Sequence, residues 1–495
     1  MELGERLKRD REKVISPARE DPFVGGLAEV IGGARGSHAV PETAGRGGRF
    51  WTAARIVLAL TCLTLVLHWI QKSPCRDGAW QDLEQYKSFC YTDVLALYYF
   101  EGLSEGKVPY VPDEDNHQVE YPVLTGAFMG LIGLPIHAMG KDNPNMNQGQ
   151  AFYDVTALAL MGFAVATAAM ILSLRRRRPW DAAMFALSPA LLVTATVNWD
   201  FLAIVLAIGG VWCWARRHPL AAGILLGLGA AAKLWPAFLL WPIIVLAVRR
   251  KEWQPAAFAV GGAVGAWLLT NVPVMLLSFK DWYQFMKLSS ERAIDWGTLW
   301  YIGRFLDTDY FGGALSGFYG SIPVVTNLAL VLFILGTIFG VTALTLMAPV
   351  PPRLAQLAFL VIALFLVTSK VWSQQFNLWL LPLIVLARPK WGAFLFWQVA
   401  EVGYFLAFYA ELMNASGQNV IPEGTFVFAS FLRLASVILL MVLVIREIMR
   451  PELDVVRATY GGGDPDSPPR VKMTASAFSS RFTFKPSTDA VSAPS

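Results

Sequence analysis

Apolar stretches, most of them long enough to cross a bilayer, recur along almost the whole chain, and this decides what the chain can fold into. They lie at 51–70, 121–139, 151–174, 182–197, 199–215, 220–248, 255–277, 324–347, 354–371, 376–387, 391–412 and 424–446. A helix of about twenty apolar residues matches the hydrocarbon thickness, and inside it every backbone polar group must be satisfied within the protein. The expected fold is therefore an all-α polytopic membrane protein with roughly 11 to 13 transmembrane helices. Hydrophobic residues make up 55% of the chain and charged ones only 16%, so the net charge of +4 carries no nucleic-acid signal. Its Lys and Arg residues cluster between the runs, at Arg175–Arg178, Arg216 and Arg217, Arg249–Lys251, Arg353, Arg388 and Lys390, and Arg446 and Arg450. That is how loop charges set topology, with the basic side in the cytoplasm.

Three regions follow from this pattern. Residues 1–49 are rich in charge and glycine and read as a disordered or surface-lying cytoplasmic arm; residues 50–447 form the membrane domain; residues 448–495 read as a disordered cytoplasmic tail, Pro- and Ser-rich from Glu452. The start of the chain lacks a short apolar core with a cleavage site, so the first run is a retained span, with Arg46, Arg49 and Arg55 keeping its start inside. One conflict stands: if 121–139 and 151–174 both cross, Arg175–Arg178 land outside. Either the Pro/Gly-broken segment GLIGLPIHAMG does not cross simply, or the charge rule fails.

The loop 71–120 follows the first span, and it holds four Lys/Arg against ten Asp/Glu, which places it outside. Within it, 93–103 reads as a short interfacial helix, with Thr92 or Asp93 as its cap and Gly106 past its end. Asp93 is then either a cap only or a carboxylate aimed along the water–lipid boundary. In an oxidising compartment Cys75 and Cys90 would close a loop of about fifteen residues, contributing on the order of 3 kcal/mol, and a disulfide is expected. Cys62 and Cys213 lie in apolar runs as packing residues.

Further along, 220–248 has basic residues at both ends, so it should enter and leave from one side as two short helices meeting at Lys233, Trp235 and Pro236. An ammonium there is costly unless it snorkels to water or binds an anion. A second outer loop, 278–323, places Lys280, Lys287, Arg292 and Arg304 among aromatics, against the orientation rule, as a solvated loop or as cations for an anionic ligand. Polar groups near span ends also stand in NWD (Asn198–Asp200) and SKVWSQQF (Ser369–Phe376).

No soluble stretch is long enough for a separate catalytic domain, so any chemistry must occur at the membrane boundary with a lipid as one substrate. A carboxylate that takes a proton from an attacking hydroxyl, beside cations that neutralise a departing phosphate, is the minimum for moving a group off a lipid phosphate. Five scattered His and the absence of CxxC, HExxH and a Gly-rich phosphate loop offer no metal site.

The succession YTD, EGKVPY, EYPVLTG, NWDFLAIVLAI, LAAGILLGLGAAAKLWPAFLLWP and SKVWSQQFNLWLLPL, over about 50–445, resembles membrane GT-C glycosyltransferases. It is most similar to glycosyltransferase family 87, the polyprenyl-phosphate-mannose-dependent mannosyltransferases of actinobacterial envelope synthesis. The resemblance implies a GT-C-like bundle and an inverting single displacement, needing neither metal nor cofactor, from a polyprenyl-phosphate-sugar donor to a lipid or glycan acceptor. It implies that Asp93 is the general base, and that Lys233, Lys370 and Gln374 or Gln375 contact phosphate and sugar. Glu120, Tyr121 and Asp200 join the substrate-binding candidates from the matching segments, and Arg292 and Arg304 from charge and placement alone. The expected setting is the plasma membrane, both termini cytoplasmic and the site outside. Two rivals remain: a transporter of lipid or anionic solute, and a non-catalytic envelope-assembly scaffold.

Overall fold

The computed structural model describes residues 15, 17–32, 51–112 and 119–466. Among these the chain is helical, without strands, and seven helices are long and apolar enough to cross a membrane. Its principal helices in chain order are α1 (Pro22–Gly32), α2 (Ala53–Gln71), α3 (Asp93–Phe100), α4 (Val123–Asp142), α5 (Gln148–Leu174) and α6 (Pro189–Thr194). Next come α7 (Asp200–Ala215), α8 (Pro219–Ala232), α9 (Leu240–Arg250), α10 (Trp253–Leu277), α11 (Phe279–Glu291) and α12 (Leu299–Tyr310). The bundle closes with α13 (Ile322–Met347), α14 (Leu354–Thr368), α15 (Asn377–Ala387), α16 (Trp391–Ala415) and α17 (Glu423–Met449).

The arginine conflict has a structural answer in α4. Along its length α4 lies on the outer-loop residues that precede it: Tyr110 donates to the carbonyls of Tyr121 and Pro122 (both 2.9 Å), and His137 Nδ1 meets the Ser104 carbonyl at 2.8 Å. Gly126, Gly130 and Gly133 make this possible, since a Cβ at these positions would run into Tyr110, Pro109 and Leu103. Both ends of α4 stay at one end of the bundle: Thr125 donates to the Ala232 carbonyl (2.7 Å), and just past the helix Asn147 donates to the Asp77 carbonyl (2.7 Å). Both ends of the Pro/Gly-broken segment therefore lie on the same side of the bundle. It is α5 that descends from this end and delivers Arg175–Arg178 to the other.

That other end is pinned by buried ion pairs, each charge meeting a counter-charge in an apolar surround. Arg175 pairs with Asp466 (2.6 Å), Arg353 with Asp454 (2.8 Å) and Asp466 (3.2 Å), and Arg250 with Asp464 (2.6 Å). Arg388 and Lys390 hold Glu447 (3.0 and 2.6 Å), and Arg178 reaches Glu20 of the N-terminal arm (2.6 Å). Part of each terminal region is thereby ordered. Residues 17–32 are helical, and 451–466 fold back as a clamp because their carboxylates meet arginines that only the assembled bundle brings together. The rest of both terminal regions lies outside the described residues.

Several segments run between the two ends as short or broken helices. The stretch 179–197 is three short helical pieces ending in α6; the first and last start at Pro179 and Pro189, and Ser188 caps the last, its hydroxyl accepting from Leu191 N. The 220–248 run is α8 and α9 meeting at Lys233–Leu239, as its charge pattern implied. Pro236 interrupts the helical hydrogen bonding there, and Lys233 already has extended dihedrals (φ −149°, ψ 142°). Segment 369–376 breaks helix in the same way between α14 and α15. Such non-helical backbone is tolerated at membrane depth only where protein surrounds it or a cavity opens, and both breaks face the same place.

Candidate active site

The outer loop is fixed before it reaches Asp93. The Cys75–Cys90 disulfide is present, with 5.6 Å between Cα atoms, and buried Lys72 at the end of α2 donates to the Tyr91 carbonyl (3.1 Å). Burial lowers the Lys72 ammonium to about 7, partly opposed by Asp93. Thr92 then caps α3 by accepting from Val94 N (3.2 Å) and donates to the Thr196 carbonyl (2.9 Å), while the Asp93 amide donates to the Val197 carbonyl (2.8 Å). The cap role belongs to Thr92, which leaves the Asp93 side chain available. Helix α3 stops at Phe100, earlier than the sequence suggested, because Gly102 (φ 65°) and Gly106 (φ 82°) turn the chain through left-handed conformations.

The Asp93 carboxylate points into the bundle. It accepts from Asn198 Nδ2 (2.7 Å) and Gln375 Nε2 (3.4 Å), and the Tyr91 hydroxyl also bonds to it. Burial holds its pKa above the ordinary carboxylate range; the Asn198 and Tyr91 hydrogen bonds and the Lys233 charge oppose that, and Asp200 reinforces it. Asn198 uses its other amide hydrogen on the Tyr121 hydroxyl (2.6 Å). Beside this centre Lys233 Nζ donates to Asp200 Oδ1 (2.8 Å), which also accepts from Trp379 Nε1 (2.6 Å). The ammonium lies 5.4 and 5.8 Å from the ring centroids of Phe376 and Trp379, and these two rings stack at 4.1 Å. Asp93, Tyr121, Asp200, Lys233 and Gln375 thus come together from five separate segments.

A second group adjoins them. Burial holds Glu120 above the usual range; the Arg292 charge opposes that and Asp93 reinforces it. Lys370 donates from Nζ to the Ser290 carbonyl (2.8 Å), and its own carbonyl accepts from Asp295 N (2.9 Å), which joins the 369–376 turn to the second outer segment. Gln374 turns away from Asp93 toward Tyr409. Arg304 is apart from the centre: it is exposed on α12 with its guanidinium 5.3 Å from the Tyr301 ring.

Residues 128–369 match the sequence model of glycosyltransferase family 87. The match supports the resemblance read from the sequence. The match indicates a membrane glycosyltransferase, and the matched stretch carries Asn198, Asp200, Lys233 and Arg292 of the polar centre. Asp93, Tyr121 and Gln375 enter from outside that stretch. No curated protein matches the chain.

An apolar groove of about 400 Å³ opens next to this polar centre, between α4, α8, α10 and α11. Pro122, Val123 and Leu234 line one end, and Trp282, Phe285 and Met286 of α11 line one side. Its two polar members satisfy each other, Trp282 Nε1 donating to Asn271 Oδ1 (3.0 Å). Leu234, Val264 and Leu268 are exposed along it, so the groove is open on its lipid side.

Sequence reasoning missed Asn198 as the direct partner of Asp93, along with Trp379 and Tyr91. The signal for Asn198 was present in NWD: a polar residue two before Asp200, at a span end where polar groups are expensive.

Proposed function

We propose that this protein transfers a sugar, mannose by the family resemblance, from a polyprenyl-phosphate donor to a cell-envelope lipid or glycan acceptor. The observation that carries the reading is continuity between groove and centre. Tyr121 and Lys233 face the polar centre while their chain neighbours Pro122 and Leu234 line the apolar groove. An amphiphile with its hydrocarbon chain in the groove would carry its phosphate to Lys233, Arg292 and Lys370, where cations offset the charge of the leaving group. Its sugar would lie over Phe376 and Trp379 and within reach of Asp93. The acceptor oxygen attacks the anomeric carbon, the carbon–oxygen bond to phosphate breaks with its electron pair leaving on phosphate, and Asp93 takes the acceptor's proton. The configuration inverts in this single step.

Two features support an outward-facing site in the plasma membrane. The arginine-rich end, where both terminal segments are clamped, belongs in the cytoplasm by the orientation rule. The opposite end carries the disulfide, which belongs to an oxidising compartment.

The test is photocrosslinking of the full-length protein in nanodiscs with a polyprenyl phosphate carrying a diazirine in its chain. Label is expected on peptides of α8, α10 and α11, competed by unlabelled polyprenyl-phosphate-mannose, and weakened at least several-fold by Lys370→Ala. Label spread evenly over lipid-facing helices, or uncompeted by the donor, would overturn the reading.

A further inference from the structure

The turn that brings Gln375 to Asp93 and Lys370 to the second outer segment has no helix of its own. It lies between Thr368, where α14 ends, and Asn377, where α15 begins, so its carbonyls lack the donors that a continuing helix would supply. In an apolar interior such groups must find partners. The Trp372 and Ser373 carbonyls find one in Arg433, a fully buried arginine in the middle of α17.

Arg433 donates to the Trp372 carbonyl (2.9 Å) and the Ser373 carbonyl (3.1 Å), and its Nε donates to Glu401 of α16 (3.1 Å). Glu401 in turn accepts from Trp397 Nε1 (2.9 Å) and from Asn377 Nδ2 (3.3 Å), the first residue after the turn. The pair therefore grips both the middle of the turn and its exit. The guanidinium also sits 4.3 Å from the Trp372 ring centroid and 4.1 Å from that of Tyr404. The Tyr404 hydroxyl donates to the Trp296 carbonyl (3.4 Å), in the loop whose Asp295 amide is bonded to Lys370. One buried cation thus joins the two polar segments that flank Asp93.

Packing of α16 on α17 does not need this arrangement, because apolar side chains of similar volume hold helices together at least as well as a buried ion pair. What an apolar pair cannot do is donate to two carbonyls at a helix break. We propose that Arg433, held by Glu401, is a positioning residue for transfer, keeping residues 370–375 in the non-helical shape that presents Gln375 and Lys370 to the reacting groups. The proposal rests on the reading of Asp93 as the base, and it acts through the turn, not through contact with substrate.

The experiment compares full-length wild type, Arg433→Lys, Gln375→Ala and their combination in nanodiscs. Amide exchange is followed across 354–387, and transfer from polyprenyl-phosphate-mannose to a membrane glycolipid extract is measured. Lysine keeps the charge but has a single nitrogen in place of the planar fork whose separate nitrogens reach the two carbonyls and Glu401. Expected in Arg433→Lys is exchange faster by at least about tenfold within 369–376, with 354–368 and 378–387 still protected. The loss of kcat caused by Gln375→Ala should shrink strongly in the Arg433→Lys background, because both changes strike one element. A turn that stays protected, or losses that simply multiply, overturns the proposal. Should Arg433→Lys fail to fold, Arg433→Met combined with Glu401→Leu keeps the helix pair packed and reads the same exchange. Exchange needs no turnover: a loosened turn in the variant with no transfer by wild type would sink the transferase reading and leave the positioning device standing.

Discussion

Replacing Asn198 by alanine should produce a defect that alkali repairs. Asn198 donates to Asp93 at 2.7 Å and is the largest influence holding that carboxylate ionised against the effect of burial. A hydrogen bond to a charged group contributes about 1.5–3 kcal/mol. At about 1.4 kcal/mol per factor of ten, its loss leaves Asp93 roughly ten- to a hundredfold less ionised at a given pH. The Tyr91 and Gln375 donors remain, which favours the lower figure. A general base works only when deprotonated, so kcat/KM rises with pH through the Asp93 titration. In wild type that rise already lies above the ordinary carboxylate range, and Asn198→Ala should move it further up. The assay is the pH profile of kcat/KM, which reports the free enzyme, with thermal unfolding as a control. Activity at neutral pH should fall about tenfold or more and recover toward wild type as pH is raised. A rise that stays in place, shifts to lower pH, or a deficit equal at every pH would refute the assignment of Asn198 to Asp93 and of Asp93 as base.

Two further changes probe the frame. Replacing Cys75 and Cys90 together by serine removes a link across 15 residues and should cost about 3 kcal/mol, read as lower thermal stability with faster exchange in residues 71–93. Asp466→Ala leaves Arg175 and part of Arg353 buried without a counter-charge, which should cost about 3–5 kcal/mol. Burial by itself would raise the Asp466 carboxyl, yet Arg175 and Arg353 hold it below the usual range. Its stabilisation is therefore present above the unfolded carboxylate pKa of about 3.9 and is lost as pH falls through the lower folded value. Asp466→Ala should remove that acid-side loss of stability.

Hydropathy alone made the helical membrane fold legible, and the local patterns YTD, NWD and AAKLWP marked residues that do converge, because polar groups at span ends are rarely neutral in energy. Distance was not legible. Arg304 and Arg292 look alike as loop cations, yet only Arg292 stands near Glu120, since α12 carries Arg304 out to the surface. The path of α4 was hidden for a different reason: its composition suits a span, and only its spaced glycines, admitting Tyr110, Pro109 and Leu103, lay it along the loop. Arg433 and Glu401 were passed over inside apolar runs, although charges there were the signal. The folding of 451–466 depends on pairing Asp454 and Asp466 with arginines more than a hundred residues away, which a Pro- and Gly-rich composition does not reveal.

The central claim is that Asp93 takes the proton from the acceptor of a lipid-linked sugar. Its most direct test is transfer of labelled mannose from polyprenyl-phosphate-mannose to a membrane glycolipid extract by wild type and Asp93→Asn in nanodiscs. Asparagine keeps the shape but cannot accept the proton. Labelled product from wild type, with donor still bound but product formation abolished in Asp93→Asn, is the predicted result. Turnover by Asp93→Asn at the wild-type rate would contradict it.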